Sequence, residues 1–174
     1  MRIIAGKHKS RKLNTLKGQN VRPTSDRTRE SIFNMLQQRI KGSAVLDLFA
    51  GSGAMGIEAI SRGAVSVFND ADKKSVALIK SNLTLLNEQA EVLNCDCMTA
   101  LAKLKGRAFD IIFLDPPYAL DIGAVFDKIR EYGLLNTRGM AIYEHGGESV
   151  SIDGYKRVDS RRYGKAAIDC LEVL

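Results

Sequence analysis

The stretch Ala44-Val-Leu-Asp-Leu-Phe-Ala-Gly-Ser-Gly-Ala-Met-Gly56 decides the fold of this chain. Residues 44–48 are apolar apart from Asp47, and this pattern predicts a buried β-strand. Three glycines follow in the spacing G-x-G-x-x-G, and residues 55–61 predict the start of a helix. Such glycines allow a sharp strand-to-helix turn and let a ligand approach the backbone closely. Taken alone, the motif is equally compatible with a nicotinamide dinucleotide site.

Strand and helix patterns alternate along the chain that follows. Further strands are predicted at residues 65–68, 90–94, 110–114 and 140–144, and helices at residues 73–86, 98–104 and 122–132. This alternation predicts a mostly parallel sheet with helices on both faces. The end of the chain breaks the rhythm, because residues 155–160 and 165–173 both alternate polar and apolar side chains. Only residues 161–164 lie between them, which predicts an antiparallel hairpin at the sheet edge. The predicted fold class is a Rossmann-like α/β domain.

The N-terminal segment, residues 1–41, differs in character from the rest. Short strands are predicted at residues 2–5 and 11–13, and Thr24 or Ser25 is predicted to cap a helix. The apolar stripe of that helix would dock on the main sheet through Ile32, Phe33, Leu36 and Ile40. We therefore predict a small N-terminal extension, residues 1–41, on a main domain, residues 42–174. The pattern alone leaves Arg27, Arg29 and Glu30 open between a solvated helix face and a functional role.

Charge is distributed unevenly along the 174 residues, whose net charge is +6. Residues 1–41 hold eleven Lys and Arg against two acids, a net of +9, and residues 156–165 hold five against one, a net of +4. Residues 42–155 hold ten against fifteen acids, a net of −5. Clustered cations favour a polyanionic partner, because phosphate contacts dominate affinity for nucleic acids.

Composition excludes several other classes of protein. The chain has no apolar run long enough to predict a membrane span, and its N-terminus lacks the apolar core of a signal peptide. Its three cysteines, Cys95, Cys97 and Cys170, are odd in number and have no zinc-like spacing. We therefore expect no metal site, no disulfide framework and no membrane partner. A reducing cytoplasm is the predicted location.

Acidic residues lie at the ends of the first three predicted strands. Asp47 lies before the glycine loop, where it would repel a pyrophosphate and attract a sulfonium or ammonium group. Asp70 follows the second strand, where a carboxylate can accept both ribose hydroxyls, with Asp72 as the weaker alternative. Asp96 follows the third strand and could accept from an adenine amino group or be an ordinary solvated acid. An amine, a sulfonium, a ribose and an adenine without phosphate predict S-adenosylmethionine.

The tetrapeptide Asp115-Pro-Pro-Tyr118 follows the fourth predicted strand. Ligands of open α/β sheets bind at the carboxyl ends of strands. A carboxylate and a rigid backbone carbonyl could accept the N–H groups of a flat base, and Tyr118 could stack on its face. The alternative is a simple turn, since Asp-Pro and Pro-Pro are common turn signals.

Together with the glycine loop and this tetrapeptide, two further motifs carry a resemblance to a known family. They are Arg22-Pro-Thr-Ser-Asp-Arg-Thr-Arg-Glu30 and Arg162-Tyr-Gly-Lys165. With them the chain resembles, over nearly its whole length, the bacterial 16S rRNA guanine-N2 methyltransferases of the RsmD type. The resemblance implies a class I methyltransferase fold, S-adenosylmethionine as cofactor, and methylation of one guanine of 16S rRNA in the 30S subunit.

The resemblance also implies roles for individual residues. Asp115 and the Pro116 carbonyl would accept the guanine amino hydrogens, with Pro117 and Tyr118 completing the base pocket. The implied cofactor set comprises Asp47, Phe49, Gly51, Ser52, Gly53, Asp70 and Asp96, with Thr24 and Glu30 in the segment that closes over it. Asp70 departs from the family, in which Glu is expected at the ribose position. The basic segments supply the candidate RNA contacts Lys7, Lys9, Arg11, Lys12, Arg22, Arg27, Arg162 and Lys165.

Four alternatives remain open from the sequence. A DNA adenine-N6 methyltransferase can use the same tetrapeptide, although the chain has no room for a sizeable DNA-recognition domain. A protein glutamine methyltransferase usually has Asn in place of Asp115. A non-catalytic RNA-binding assembly factor would bind RNA without turnover, and a nicotinamide-dependent enzyme is the weakest alternative. A monomer is expected.

Overall fold

Seven strands form one mixed sheet in the order β3-β2-β1-β4-β5-β7-β6. The computed structural model describes residues 1–15, 26–117, 119–147, 151–164 and 166–174. The strands are β1 (Ala44–Asp47), β2 (Val65–Asn69), β3 (Glu91–Leu93), β4 (Phe109–Leu114), β5 (Leu135–His145), β6 (Tyr155–Tyr163) and β7 (Ala166–Val173). Strands β1 to β5 run parallel, and β7 pairs antiparallel with both β5 and β6. The predicted fold class is confirmed.

Helices cover both faces of this sheet. They are α1 (Asp26–Met35), α2 (Ala54–Ser61), α3 (Lys73–Leu86), α4 (Cys97–Lys103) and α5 (Ile122–Glu131). The apolar sides of α1, α2 and α3 pack on one face, and those of α4 and α5 pack on the other. None of the helices in the described ranges is long and apolar enough to cross a membrane.

The alternation of side chains along the central strands assigns each residue to a face. In β4, Ile111 and Phe113 pack under α1, whereas Ile112 and Leu114 pack toward α4 and α5. Strands with both faces covered are apolar along their length, as the sequence predicted for the parallel core. The first strand lies between β2 and β4. Strands β2 and β3 are added on one side of β1, and β4 and β5 on the other, so the order of the strands reverses at β1. In doubly wound sheets the ligand crevice forms at such a reversal.

The C-terminal hairpin is longer and tighter than the sequence predicted. Residues 161–164 were expected to form the turn, but β6 continues to Tyr163 and β7 begins at Ala166. Arg161 and Arg162 therefore pair with Ile168 and Ala167 inside the sheet. The reason for the difference is that β6 is an edge strand with most side chains exposed, so its polar residues resemble a turn in the sequence.

The N-terminal extension is built mostly without strands. Within the described residues, one isolated antiparallel bridge joins Arg2 to Lys12, so the strands predicted at residues 2–5 and 11–13 are wrong. Ile3 and Leu13 are buried against α2 and α3 and fix this segment to the domain. The predicted apolar stripe is buried as expected, but the helix is shorter than predicted. Ile32 and Phe33 belong to α1, whereas Leu36 and Ile40 lie in the turns after Met35 and pack in the same cluster.

Candidate active site

Five neighbouring strands place a carboxylate at the same edge of the sheet. Across the sheet from β3 to β5 these residues are Asp96, Asp70, Asp47, Asp115 and Glu144. The parallel direction of the strands brings their carboxyl ends together, and the charges of Asp70 and Asp115 both act on Asp47. Glu144, near the end of β5, was not predicted from the sequence.

The glycine loop joins β1 to α2 at the centre of this edge. Gly51 and Gly53 have positive φ values of 53° and 78°, a conformation that side chains rarely adopt. A Cβ at Gly51 would meet open space, whereas one at Gly56 would lie 2.2 Å from the Phe68 ring. The third glycine of the motif therefore allows α2 to pack closely on β2, and the first leaves the backbone accessible to a ligand.

Asp47 is a buried carboxylate directly below this loop. Only 4% of the residue is exposed, and its Oδ2 accepts the Gly56 N–H at 2.9 Å. Burial, aided by the nearby charges of Asp115 and Asp70, raises the pKa of Asp47 to about 7 against the effect of that bond. A cation bound beside this carboxylate would relieve its unfavourable burial, which suits the positive end of an amino-acid-bearing cofactor.

Asp70 connects the end of β2 to the glycine loop. Its Oδ2 accepts the Gly51 N–H at 2.7 Å, and its Oδ1 accepts the Asp72 N–H at 2.8 Å. Each oxygen keeps a second lone pair for a hydroxyl donor. Asp72 instead caps α3 by accepting the N–H groups of Lys74 and Ser75. This capping role favours Asp70 over Asp72 as the candidate ribose ligand.

Asp96 lies further along the same edge and caps α4. Its carboxylate accepts the Thr99 N–H at 2.9 Å and the Thr99 hydroxyl at 2.6 Å. Those bonds hold the pKa of Asp96 below its usual value. The residue is exposed, so the carboxylate has a structural role and also faces the solvent, from which an adenine could approach.

The Asp-Pro-Pro segment presents two oxygen acceptors side by side. The Pro117 carbonyl accepts the Leu120 N–H at 3.0 Å. Within the described residues, neither the Asp115 carboxylate nor the Pro116 carbonyl accepts a hydrogen bond from the protein. Asp115 is exposed at the mouth of the site, and partial desolvation of its carboxyl group, followed by the charge of Glu144, raises its pKa to about 7. Tyr118 lies outside the described residues.

Other predicted cofactor residues take varied positions. Phe49 is half-buried and packs on the α4 and α5 side of the core. The Ser52 carbonyl accepts a hydrogen bond from the amide of Asn82, a buried residue of α3 whose side chain also bonds the Asn14 backbone. Asn82 thus joins the glycine loop to the N-terminal extension. Glu30 is exposed on α1, and Thr24 lies outside the described residues.

The N-terminal extension is anchored through Glu58 of α2, which is 1% exposed. Its two oxygens accept the N–H groups of Ile4 and Ala5 at 2.8 and 3.0 Å, and Arg62 adds an ion pair at 2.8 Å. Arg29 is buried beside it and donates to the Arg2 carbonyl. Arg29 therefore has a structural role, and the solvated helix face that the sequence left open for it is wrong.

The candidate RNA residues lie mainly on exposed positions. Lys9, Arg11, Lys12, Arg27 and Arg162 are exposed, and Lys7 forms an ion pair with Glu88 while half of its side chain stays exposed. Arg11 and Arg162 donate to backbone carbonyls of Leu85 and Gly147. Arg22 and Lys165 lie outside the described residues. The exposed cations are arranged on the N-terminal extension, on α1 and on the hairpin.

A second depression, of about 530 Å³, lies at the opposite edge of the sheet. It is lined by Arg39, Lys41, Asp110, Arg138 and Glu172 among others, and Arg39 pairs with Glu172 at 3.1 Å. It is far from the glycine loop and holds none of the predicted site residues. Across the described part of the chain, no cluster of His, Cys, Asp and Glu could hold a metal ion.

Comparison with known proteins identifies the family. The profile of a family described as conserved hypothetical protein 95 matches residues 1–172. Ribosomal RNA small subunit methyltransferase D of Haemophilus influenzae is 43% identical over 127 residues, which cover 70% of this chain and 66% of that protein. The chain belongs to the RsmD methyltransferase family. YlbH of Bacillus subtilis is 43% identical to the present chain over 154 residues, which cover 85% of the chain and 84% of YlbH.

A solved structure agrees with this assignment. The protein yhhF from Escherichia coli superposes on the present chain with a TM-score of 0.89 at 31% sequence identity. The superposition covers 99% of this chain and 97% of yhhF. The predictions of the family and of an S-adenosylmethionine-dependent methyltransferase are confirmed. The alternative of a nicotinamide-dependent enzyme is thereby excluded.

Proposed function

We propose that this protein transfers a methyl group from S-adenosylmethionine to the exocyclic N2 amino group of one guanine in 16S rRNA, within the 30S subunit and in the cytoplasm. The observation that carries the proposal is the pair of acceptors at Asp115 and Pro116, which have no partners in the described part of the chain. They lie at the switch point of the sheet, beside a loop and acids that fit the cofactor. The names of the curated relatives support rRNA as the substrate.

The residues of the site fit the proposed cofactor. S-adenosylmethionine supplies an electrophilic methyl group on a positively charged sulfur when it is bound. Asp47 would offset that positive charge or the adjacent ammonium group, Asp70 would accept the ribose hydroxyls, and Asp96 would accept from the adenine. Gly51 leaves room for close approach of the ligand to the loop backbone.

Asp115 and the Pro116 carbonyl would activate the amino group of the base. The nitrogen lone pair of a guanine amino group is delocalised into the ring, so attack requires that nitrogen to become pyramidal. Two acceptors for its hydrogens favour this geometry and the positive charge that develops there. The raised pKa of Asp115, about 7, also makes its carboxylate a competent acceptor for the proton that the methylated nitrogen releases.

The exposed cations would hold the RNA around this site. We propose that residues 1–41 form an RNA-binding extension of the methyltransferase domain, residues 42–174. The extension presents Lys9, Arg11 and Lys12 to solvent, and Arg162 lies on the hairpin. A base must leave its stack to reach Asp115, so a loop or bulge of the RNA is the expected target element.

The proposal is tested by incubating the protein with labelled S-adenosylmethionine and 30S subunits that lack the modification. Digestion and mass spectrometry of the rRNA then map the methylated nucleotide. We expect label in one N2-methylguanine of 16S rRNA. Label in adenine would replace the proposed substrate, and RNA binding without label would support a non-catalytic assembly factor. Duplex DNA and naked 16S rRNA serve as comparison substrates.

A further inference from the structure

Asp115 and Glu144 occupy equivalent places on neighbouring strands. Strands β4 and β5 run parallel, with Phe113 opposite Ile142 and Leu114 opposite Tyr143. The next position along both strands places Asp115 opposite Glu144. Adjacent strands lie about 4.8 Å apart, so the two carboxylates share one end of the site.

The two acids also share one face of the sheet. Phe113 and Ile142 pack in the core under α1, and side chains alternate between faces along a strand. Asp115 and Glu144, each two residues further on, therefore continue the same face, which is also the face of Asp47, opposite Phe113 in the register. Glu144 is half-buried, and its charge contributes to the raised pKa of Asp115, as expected for neighbouring positions in this register.

Guanine has a hydrogen-bonding edge that matches two neighbouring acceptors. Its exocyclic N2 amino group and its ring N1–H are adjacent donors. In adenine the ring nitrogen beside the amino group carries a lone pair and accepts a hydrogen bond, whereas the corresponding ring nitrogen of guanine carries a hydrogen. A second carboxylate next to the amino-group site would attract guanine and repel adenine.

We propose that Glu144 is a specificity residue that accepts a hydrogen bond from the N1–H of the target guanine while Asp115 and Pro116 hold its amino group. The inference rests on the proposed function and adds a reason why the shared Asp-Pro-Pro-Tyr segment would select guanine in this protein. Glu has one methylene more than Asp, which gives it the reach to the neighbouring donor from the next strand.

The test uses 30S subunits reconstituted with either guanine or 2-aminopurine at the mapped target position. 2-Aminopurine keeps the N2 amino group, but its N1 carries a lone pair in place of the hydrogen. We expect the wild type to favour guanine in kcat/KM by roughly 10-fold or more. The Glu144→Gln variant can donate from its amide to that nitrogen, so its preference for guanine should fall by roughly 10-fold or more.

Equal kcat/KM on the two bases in the wild type, or an unchanged preference in Glu144→Gln, would overturn the role of Glu144. The wild-type comparison stays decisive if the variant does not fold, and Glu131→Gln, an exposed acid of α5, is the matched control. Absence of N2-methylguanine in wild-type reactions defeats the proposed function itself. Guanine methylation with an unchanged base preference defeats only the assignment of Glu144.

Discussion

Glu58 and Asp47 are two of the almost completely buried carboxylates in the described residues, yet their surroundings differ. Glu58 of α2 is 1% exposed and accepts the N–H groups of Ile4 and Ala5 and a bond from Arg62. Asp47 is 4% exposed, and the one hydrogen bond that its side chain accepts in the described residues comes from the Gly56 N–H. The first carboxylate is satisfied by the protein, and the second is left with unused acceptor capacity.

This difference separates a structural acid from an acid that we propose binds a ligand. A buried carboxylate with several donors and a guanidinium fixes the segments that supply them. A buried carboxylate with few partners has a raised pKa and gains most when a cation or donor arrives. Asp115 is an exposed residue, but it accepts no hydrogen bond within the described residues and so shares the unused acceptor capacity of Asp47.

The largest expected effect is the loss of the satisfied carboxylate. Glu58→Gln keeps the size of the side chain but leaves buried Arg29 beside an uncharged amide. Breaking a buried pair on one side costs about 3–5 kcal/mol, so we expect a loss of that order in the free energy of unfolding. Denaturant unfolding measures the loss, and hydrogen exchange should show faster opening at residues 4 and 5.

The matched control is Glu91→Gln. Glu91 also pairs with an arginine, Arg107, but their side chains are 47% and 43% exposed. Exposed pairs contribute about 1 kcal/mol at most, so this variant should unfold nearly as the wild type does. Equal losses in the two variants would contradict the structural role of Glu58.

The next effect concerns Asp115, whose unused hydrogen-bond acceptor capacity we assign to the base pocket. Asp115→Ala should lower methyl transfer by on the order of 100-fold or more, because one of two acceptors for the amino hydrogens is lost. Cofactor binding should stay nearly intact, since Asp115 is placed on the base side of the site. Single-turnover rates and calorimetric titration with S-adenosylhomocysteine measure the two quantities.

Asp121→Ala is the control for this variant. Asp121 lies shortly after Asp115 in the chain, is exposed, and caps α5 by accepting the Ala124 N–H at 3.4 Å. The variant loses a helix cap but should keep its methyl-transfer rate. Near-normal turnover by Asp115→Ala would remove Asp115 from the mechanism.

The third prediction concerns Asp47→Asn, which replaces the buried carboxylate of β1 by a neutral amide. The folded-state pKa of Asp47 is raised to about 7, so the stability that protonation of Asp47 contributes is fully present below about pH 4 and is lost as pH rises through 7. Asp47→Asn has no such loss. We expect the cofactor-free variant to exceed the wild type at pH 8 by on the order of 1–3 kcal/mol and to match it near pH 4.

Unfolding measured at pH 4, 6 and 8 follows this difference directly. Cofactor affinity of the same variant should fall, because the neutral amide no longer offsets a positive charge. A stability difference that does not change with pH would show that Asp47 titrates at its ordinary pKa in the folded protein.

The smallest effect concerns the exposed cations of the extension that Glu58 anchors. Charge reversal of Arg11 and Lys12 should weaken RNA binding by roughly 10-fold at moderate salt and lower the magnitude of the salt slope by about 1–2. Fluorescence anisotropy at several salt concentrations measures both. Reversal of Lys103 and Lys105, on the opposite face of the sheet, is the control, and an equal salt slope in both double variants argues against an RNA grip.

The sequence predicted the fold because apolar runs and glycines dominate it. The run at residues 44–48 and the G-x-G-x-x-G motif predicted one strand-to-helix unit. Apolar strand patterns that alternate with helical patterns predicted the others. Exposed strand segments were harder to predict. The polar stretch after Leu135 belongs to β5, and Arg161 and Arg162 belong to β6, because backbone pairing there does not depend on an apolar pattern.

The candidate site was predictable to the extent that it depends on strand ends. Asp47, Asp70 and Asp115 follow buried runs directly, so their meeting at one edge follows from parallel strands. Glu144 was not predicted, because its position beside Asp115 depends on the register of β5 against β4. A signal was present in the sequence, since Glu144 is an acid at the last position of the predicted strand.

The anchor of the extension was less predictable. Glu58 lies within an apolar helix, and an acid at such a position is itself a signal of a buried partner. Its partners are backbone groups at the distant N-terminus of the chain, which the sequence pattern does not identify. Arg29 is similar, because its helix position is clear from the sequence but its burial depends on how the extension folds back.

The hairpin strand β6 has a further consequence for the behaviour of the protein in solution. Among the described residues no further strand lies beside it at this end of the seven-stranded sheet, and an unpaired edge is a template for joining another strand. Exposed Lys156, Arg157, Arg161 and Arg162 and an irregular register between residues 157 and 159 oppose such joining. The positive charge of β6 therefore protects the sheet against edge-to-edge aggregation, whether or not RNA is bound.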